Sequence, residues 1–289
     1  MQEYFEKQLN SGYNGNLNEL FNEWIASYPE EVKAKDRFCQ DGLPIKCKEE
    51  ASGYDINDEW EKSERRIMFL LKDCPDGWGY DTRSLLVGYE DNEQSLINAE
   101  NTRNLKGSFF KNIAFLLHGL YNYPTDNYYN FQEIHDNFNE LKAEFIETFN
   151  NVPFAYIESK KLAGDKSCPS EVLEAALKKD HDFLSKEIEI LKPNIIICCD
   201  GEGNLFNSIA ENFFQDAPDD KWDGNYAGDG RKGDFNCRLY YYKKEGIVLI
   251  DSFHPTSLGK EGWKIYEKVM SPFRHCIEKY GADVFKQSK

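Results

Sequence analysis

Short apolar runs alternate along the chain with longer stretches in which apolar residues recur at helical spacing. Runs rich in Ile, Val, Leu and Phe predict strands buried on both faces at 67–71, 152–157, 194–199 and 247–250. The helical spacing predicts helices at 17–28, 109–120, 131–149, 170–191, 205–213 and 262–280. Residues 238–242 and 247–250 are typical of a hairpin, and 216–236 of a Gly- and Asp-rich loop.

Strands that alternate with helices predict the α/β class, here as a three-layer α/β/α sandwich with a mostly parallel central sheet. Residues 1–63 are predicted to be an N-terminal helical addition packed on a main domain formed by residues 64–289. In open α/β sheets, ligands bind beyond the carboxyl ends of the strands. The polar segments expected to meet at that edge are 72–75, 158–160, 200–201 and 254–255.

The last of these segments is the most informative. An apolar run beginning at Ile247 stops at His254, which is followed by Pro255. A histidine at such a strand end lies where chemistry usually occurs, and its tautomer and charge respond to its neighbours. The alternative is a strand cap whose imidazole bonds a nearby carbonyl group.

The charge and hydropathy of the chain limit the nucleic-acid and membrane partners that it can bind. The 289 residues carry a formal net charge of −16, which opposes binding of a polyanion over a broad surface. A nucleic-acid role therefore needs a local basic cleft, for which the candidate pairs are Lys160-Lys161, Arg231-Lys232 and Lys243-Lys244. No apolar stretch approaches the ~20 residues of a membrane helix, and the first residues lack a signal-peptide pattern, so we expect a cytoplasmic protein without a membrane partner.

The eight cysteines form no C-x-x-C pair. They are Cys39, Cys47, Cys74, Cys168, Cys198, Cys199, Cys237 and Cys276. Most are expected to be small buried hydrophobic residues, and their spacing favours neither zinc nor a disulfide framework. The sequence thus predicts no cofactor and no metal, although an iron–sulfur cluster that includes Cys39 and Cys47 stays open.

Four segments in order resemble the uracil-DNA glycosylase superfamily, over roughly residues 64–275. They are Phe69-Leu-Leu-Lys-Asp-Cys-Pro75, Phe154-Ala-Tyr-Ile157, Leu191-Lys-Pro-Asn-Ile-Ile-Ile-Cys-Cys-Asp-Gly201 and Ser252-Phe-His-Pro-Thr-Ser257. The family carries an early strand ending in a proline loop, a middle strand, an L-K-P segment before an apolar strand, and a final strand ending in H-P-S or a similar motif. The resemblance implies a hydrolase that flips a damaged or deaminated base out of DNA and cleaves its N-glycosidic bond in base excision repair.

The resemblance also implies roles for particular residues. His254 matches the histidine that hydrogen-bonds the base carbonyl and stabilises negative charge as the bond breaks. Asp73 aligns with a polar residue of the first loop and is expected to orient water or stabilise the sugar cation. Trp78 or Tyr80 would supply an aromatic wall for the base. The remaining residues expected to bind substrate are Cys74, Pro75, Ser159, Gly201, Pro255 and Ser257.

The chain also departs from the family pattern. Lys72 replaces the usual glycine, and Glu158 or Ser159 lies near the place of an expected asparagine, so specificity for uracil does not follow. A catalytically silent protein of the same fold that binds a nucleotide or a protein is one alternative. A hydrolase of small molecules that uses Cys74 and His254 is another.

Two further patterns in the sequence are weaker indications of a binding site. Gly201-Glu-Gly203 before a helix suggests phosphate binding, but the third glycine of a dinucleotide fingerprint is missing. The acidic 216–236 loop lacks calcium-loop spacing, so a solvated loop is expected, with a weak cation site as the alternative.

Overall fold

The computed structural model describes residues 2–32, 37–46, 53–75, 81–86, 88, 100–101, 104–164, 168–214, 216–226, 235–257 and 261–285. Helices in this part of the chain are α1 (Gln2–Asn10), α2 (Gly12–Ser27), α3 (Ile56–Lys62), α4 (Thr82–Leu85), α5 (Ser108–Asn122), α6 (Phe131–Asp136), α7 (Phe138–Asn151), α8 (Ser170–Lys179), α9 (His181–Leu191), α10 (Asn204–Asn212) and α11 (Gly262–Tyr280). The strands are β1 (Ile67–Pro75), β2 (Phe154–Gly164), β3 (Ile195–Cys199), β4 (Asp220–Asn225), β5 (Asn236–Tyr242) and β6 (Ile247–Ser252). Among the described residues, no helix combines the length and hydropathy needed to cross a membrane.

The chain divides into two compact units, each built from two separate stretches of sequence. Unit one comprises Met1–Glu100 and Pro153–Pro193, and unit two comprises Asn101–Val152 and Asn194–Lys289. Both units combine parallel strands with helices, which confirms the predicted α/β class, and the N-terminal segment is helical as expected. Residues on both sides of the predicted boundary at residue 63 lie in unit one.

In unit one, β1 and β2 form a parallel pair. The register runs from Ile67 opposite Phe154 to Asp73 opposite Lys160, with an irregularity before Pro75. Both strands continue beyond the predicted runs, so the predicted polar loop at 72–75 is still part of β1. The segment 38–42 adds antiparallel bridges to β2.

The helices of unit one bury aromatic side chains. Trp24 of α2 stacks on Phe183 of α9, with ring centroids 5.2 Å apart. The indole N–H of Trp60 in α3 donates to the Leu191 carbonyl at 2.8 Å, which joins the N-terminal segment to the end of α9. The single helix predicted over 170–191 was wrong, because α8 and α9 are separated at Asp180.

The strands of unit two lie in the order β3-β6-β5-β4. β6 pairs with β3 in parallel and with β5 antiparallel, and β5 pairs with β4 antiparallel. The predicted hairpin of β5 and β6 is therefore confirmed. β4 lies inside the stretch predicted to be a loop, and its carboxylates are not merely solvated, since Asp220 pairs with Lys279 at 2.8 Å.

Helix α5 is a largely buried helix of unit two. Most of its residues from Phe109 to Leu120 are buried, as expected for a helix that is apolar on nearly all sides. It packs against α7 and α11, and α11 also covers β5 and β6. The predicted helix at 131–149 is interrupted at Asn137, which ends α6 before α7 begins.

Candidate functional site

The polar turn after β6 is built on a fully embedded strand. β6 is paired on both sides, and it is buried from Val248 to Ser252. The chain then turns back through residues 253–257, which we call the histidine turn, and the Ser257 N–H donates to the His254 carbonyl at 2.8 Å. Pro255 suits such a turn because its ring fixes φ. His254 thus lies at the carboxyl end of a buried strand, where the sequence placed it.

The hydrogen bonds of the turn determine the tautomer of His254. The backbone N–H of Thr256 donates to Nδ1 of His254 at 3.2 Å, and the Thr256 hydroxyl lies 2.8 Å from the same nitrogen. A backbone N–H can only donate, so Nδ1 is an acceptor and the neutral ring carries its proton on Nε2. The donor of the neutral ring is therefore Nε2–H, on a residue that follows the carboxyl end of β6.

Two hydrogen bonds from neighbouring segments hold the histidine turn and the end of β6 in place. Asn112 of α5 is buried and donates from Nδ2 to the Pro255 carbonyl at 2.7 Å. Gly201 follows β3 with φ +78°, and its N–H donates to the Ser252 carbonyl at 3.1 Å. Pro255, Ser257 and Gly201 thus act on the shape of the turn through their backbone groups.

The other side of the turn contains aromatic rings and two cations. The Phe253 ring packs edge-to-face on Phe235, with centroids 5.8 Å apart, and the Lys268 ammonium lies 4.7 Å from the Phe253 centroid. Asp251, just before it, pairs with Lys268 at 2.9 Å and with Arg238 at 3.1 Å. Arg238 and Lys268 thus share the Asp251 carboxylate at this end of β6.

In the loop after β3, the carboxylate of Asp200 occupies the helix N-terminus at which an anionic ligand would otherwise bind. Asp200 accepts the N–H groups of Gly203, Asn204 and Leu205 at 3.0, 2.6 and 3.2 Å, at the start of α10. Burial raises the pKa of Asp200, and these backbone N–H bonds act in the opposite direction. Because the helix N-terminus is already satisfied, this arrangement argues against the phosphate-binding interpretation of Gly201-Glu-Gly203.

In unit one, Asp73 lies in an ion pair. Its Oδ2 is 3.1 Å from Lys160 Nζ, and only 9% of its side chain is exposed. Lys160 also donates to the Leu162 carbonyl. A Cβ on Gly164 would collide with the Asp73 carboxylate and the Lys160 ammonium, so the glycine makes room for the pair.

Two other site residues expected in unit one, Ser159 and Cys74, are buried. The Ser159 hydroxyl donates to the Leu71 carbonyl at 2.6 Å and ties β2 to β1. Cys74 is fully buried and hydrogen-bonded with Cys39; this bond and burial raise the pKa of the Cys39 thiol well above its usual range. Pro75 ends β1, whereas Trp78 and Tyr80 lie outside the described residues.

Beside Ser159 lies a buried group of charged residues that was not predicted as a group from the sequence. We call Asp41, Glu158, Lys161 and Glu187 the carboxylate cluster. Lys161 Nζ lies 2.6 Å from both oxygens of Asp41 and 2.8 Å from Glu187, and all three side chains are inaccessible to solvent. Burial lowers the pKa of Lys161, but the neighbouring carboxylates outweigh burial and raise it.

Glu158 differs from the other members of the cluster. Its Oε1 accepts the Tyr156 hydroxyl, while its buried Oε2 has no hydrogen-bond partner among the described residues. Burial raises the pKa of Glu158 to about 8, against the lowering effect of the Tyr156 hydrogen bond. Glu158 is therefore mostly protonated at neutral pH.

The two expected catalytic residues belong to different units, His254 to unit two and Asp73 to unit one. Their predicted convergence stays a prediction. Within the part of the chain that the structure describes, no group of three or more His, Cys, Asp or Glu side chains is arranged to hold a metal ion. Cys47, named for an iron–sulfur alternative, lies outside that part.

Comparisons of the chain with family models, curated proteins and solved structures found no match. The resemblance to the uracil-DNA glycosylase superfamily therefore depends on the quoted residues alone.

Proposed function

We propose that the chain is a glycosylase-like hydrolase that cleaves the N-glycosidic bond of a damaged or deaminated base in DNA. The observation that carries this proposal is the bond from the Thr256 N–H to Nδ1 of His254. It leaves the neutral imidazole with a proton on Nε2, at the carboxyl end of a buried strand. A fixed donor in that place suits an oxygen on which negative charge develops.

The proposed reaction is a hydrolysis. As the bond from the sugar carbon to the base nitrogen breaks, its electron pair moves to the base, and negative charge develops on the base carbonyl oxygen. The Nε2–H of His254 donates to that oxygen. Water supplies the oxygen that bonds to the sugar carbon, and its proton balances the charge on the departing base.

The resemblance gives Asp73 the role of orienting water or stabilising the sugar cation. Its ion pair with Lys160 favours the charged carboxylate that either role needs. The same pair occupies part of its hydrogen-bonding capacity. We therefore expect Asp73→Asn to slow the reaction less than a substitution of His254.

The small-molecule hydrolase that would use Cys74 is less well supported. Cys74 is buried, and it is hydrogen-bonded to a second buried thiol, Cys39. A nucleophilic cysteine needs access to its substrate and a favoured thiolate. The burial of Cys74 leaves the first of these conditions unmet.

The test is the formation of abasic sites. The protein is incubated with single- and double-stranded oligonucleotides that carry uracil, hypoxanthine, xanthine or oxidised bases. We expect cleavage of at least one, slowed about 10²–10³-fold in single turnover by His254→Ala, which is the usual loss when one such donor is removed. His275→Ala, which removes an exposed histidine of unit two, is the matched control and keeps the full rate.

A second measurement examines the histidine without relying on activity. In ¹⁵N-histidine-labelled protein, the signal that disappears in His254→Ala should show the proton on Nε2 in the neutral ring. Absence of abasic sites with every substrate, or equal rates in wild type and His254→Ala, would overturn the proposal. Binding without turnover would instead favour the silent alternative.

A further inference from the structure

Unit two contains a cavity of about 530 Å³ that the proposed reaction does not use. It lies among α5, α6, the start of α7 and the start of α11, and its volume falls in the range of about 300–1,000 Å³ that small-ligand sites occupy. The lining residues that matter for its chemistry are Lys111, Asn112, Phe131, His135, Phe138 and Trp263.

The walls of the cavity are mainly aromatic. Phe131 and Phe138 are held by edge contacts to Phe115, with ring centroids 6.5 and 5.8 Å away. Trp263, at the start of α11, also lines the cavity. Phe115 itself is buried, so these rings have a fixed support. Rigid aromatic walls favour a flat ring, which gains stacking and edge contacts beyond simple burial.

A buried amide supplies one polar position. Asn112 is only 3% exposed, and its Nδ2 is used by the Pro255 carbonyl. Its Oδ1 has no hydrogen-bond partner among the described residues. Gly262 also lines the cavity, and a Cβ there would lie 3.0 Å from Oδ1, so the glycine leaves the space beside that oxygen open. The cavity therefore offers an acceptor to a ligand N–H or O–H group.

A lysine supplies the charge. Lys111 lines the cavity, and its ammonium lies 5.8 Å from the centroid of the Phe138 ring. Within the described part of the chain, Lys111 forms no ion pair, although the protein carries an excess of carboxylates. A lysine next to an aromatic wall, without a carboxylate partner there, suits an anionic group on a flat ligand.

From these observations we infer that the cavity binds a small planar heteroaromatic anion. The ring lies between the Phe131, Phe138 and Trp263 side chains, a ring or exocyclic N–H donates to Asn112 Oδ1, and the anionic group pairs with Lys111. Nucleoside monophosphates and heteroaromatic carboxylates both carry this chemistry. No step of the proposed reaction uses these side chains, and the bond from Asn112 Nδ2 to the Pro255 carbonyl links the cavity to the histidine turn.

The experiment is calorimetric titration of the full chain. The probes are AMP, GMP, CMP and UMP, the four corresponding nucleosides, and indole-2-carboxylate. We expect at least one anionic probe to bind. Lys111→Gln should weaken that binding about tenfold, while it leaves the weaker binding of an uncharged nucleoside unchanged. Phe138→Leu should weaken both, and Lys243→Gln, which removes an exposed lysine of unit two, should change neither.

Tryptophan fluorescence is a second measure of binding, which separates a lost contact from a lost fold in the variants. Ligand binding should change tryptophan fluorescence in the wild type, and Trp263→Phe should remove that change while the calorimetric heat remains. Preference for a monophosphate or for the carboxylate identifies the source of the anion. The inference is overturned if no anionic probe binds at millimolar concentration, or if Lys111→Gln with native circular dichroism binds as tightly as wild type.

Discussion

Glu158 is a carboxyl group in the interior whose protonation affects stability. Its pKa is raised from 4.5 to about 8 by burial, so between these values the folded protein holds a proton that the unfolded chain releases. Since the folded state binds more protons there, stability falls as pH rises through that window. The contribution is present in full below pH 4.5 and is lost by about pH 8.

We therefore predict that Glu158→Gln stabilises the protein at pH 8 relative to wild type and changes little at pH 5. Each pKa unit corresponds to about 1.4 kcal/mol, so the difference between the two pH values should reach a few kcal/mol. Urea denaturation of both proteins at the two pH values measures it. Glu174→Gln, on the exposed side of α8, is the control. An effect of Glu158→Gln that does not vary with pH would contradict the assignment.

The sequence contained a signal for part of this cluster. In a strand, alternate residues share a face, so Lys161 lies on the same face of β2 as Ile157 and Ala163, all of which are buried. That pattern indicates a buried lysine in need of a carboxylate. Its partners Asp41 and Glu187 come from distant parts of the chain, and their identity was not predictable from local pattern.

At the scale of elements, apolar periodicity gave the positions of the longer helices and of the hairpin. It did not show where two helices were interrupted. α6 begins with a capping box, in which the side chains of Asn130 and Glu133 each accept the other residue's backbone N–H. This box is a local signal for the start of α6. The end of α6 at Asn137 has no such local signal. Asp180, between α8 and α9, accepts the Tyr28 hydroxyl at 2.6 Å, a contact across 152 residues that local periodicity cannot show.

The junction of β3 and α10 depends on a glycine. Gly203 has φ +83°, and a Cβ there would overlap the Arg238 guanidinium, which lies on Phe206 and pairs with Asp251. An alanine must therefore adopt a left-handed backbone and also displace Arg238. Gly246 has φ +68° with nothing within 4 Å of a Cβ, so alanine there has only the backbone cost.

We predict that Gly203→Ala lowers the free energy of unfolding by about 1–3 kcal/mol more than Gly246→Ala, whose own cost is roughly 1 kcal/mol. Chemical denaturation of the two variants measures the difference. In an Arg238→Ala background the extra cost of Gly203→Ala should largely disappear, because the side chain that it displaces is gone. Equal losses for the two glycines would show that the guanidinium does not constrain Gly203.

At the scale of the whole molecule, the sequence indicated the α/β class but not the division into two units. The prediction followed the chain in order, whereas each unit is assembled from two separated stretches. The helices of 101–152 belong with β3 to β6 rather than with the strand that precedes them. Such grouping arises from long-range packing, which a pass along the sequence does not reveal.

Net charge is the other property of the whole molecule, and it constrains DNA binding. Of the candidate basic pairs, Lys160 and Lys161 are used by Asp73 and the carboxylate cluster, and Lys244 pairs with Asp216 at 2.9 Å. Arg231 and Lys232 lie outside the described residues. With a formal charge of −16, and with three of the four described lysines of these pairs in ion pairs, the candidate pairs offer little charge to replace phosphate counterions.

We therefore predict that any binding to single-stranded DNA depends only weakly on salt. Each phosphate neutralised contributes about −0.7 to the slope of log K against log salt, so contact with about three phosphates or fewer gives a slope no steeper than about −2. Fluorescence anisotropy of a labelled oligonucleotide across a salt series measures the slope. Lys243→Gln, which removes one exposed cation, should reduce it by at most one phosphate's share. A slope of about −4 or steeper would mean that a basic surface outside the described residues contacts the strand, and that recognition depends on the phosphate backbone more than on the base.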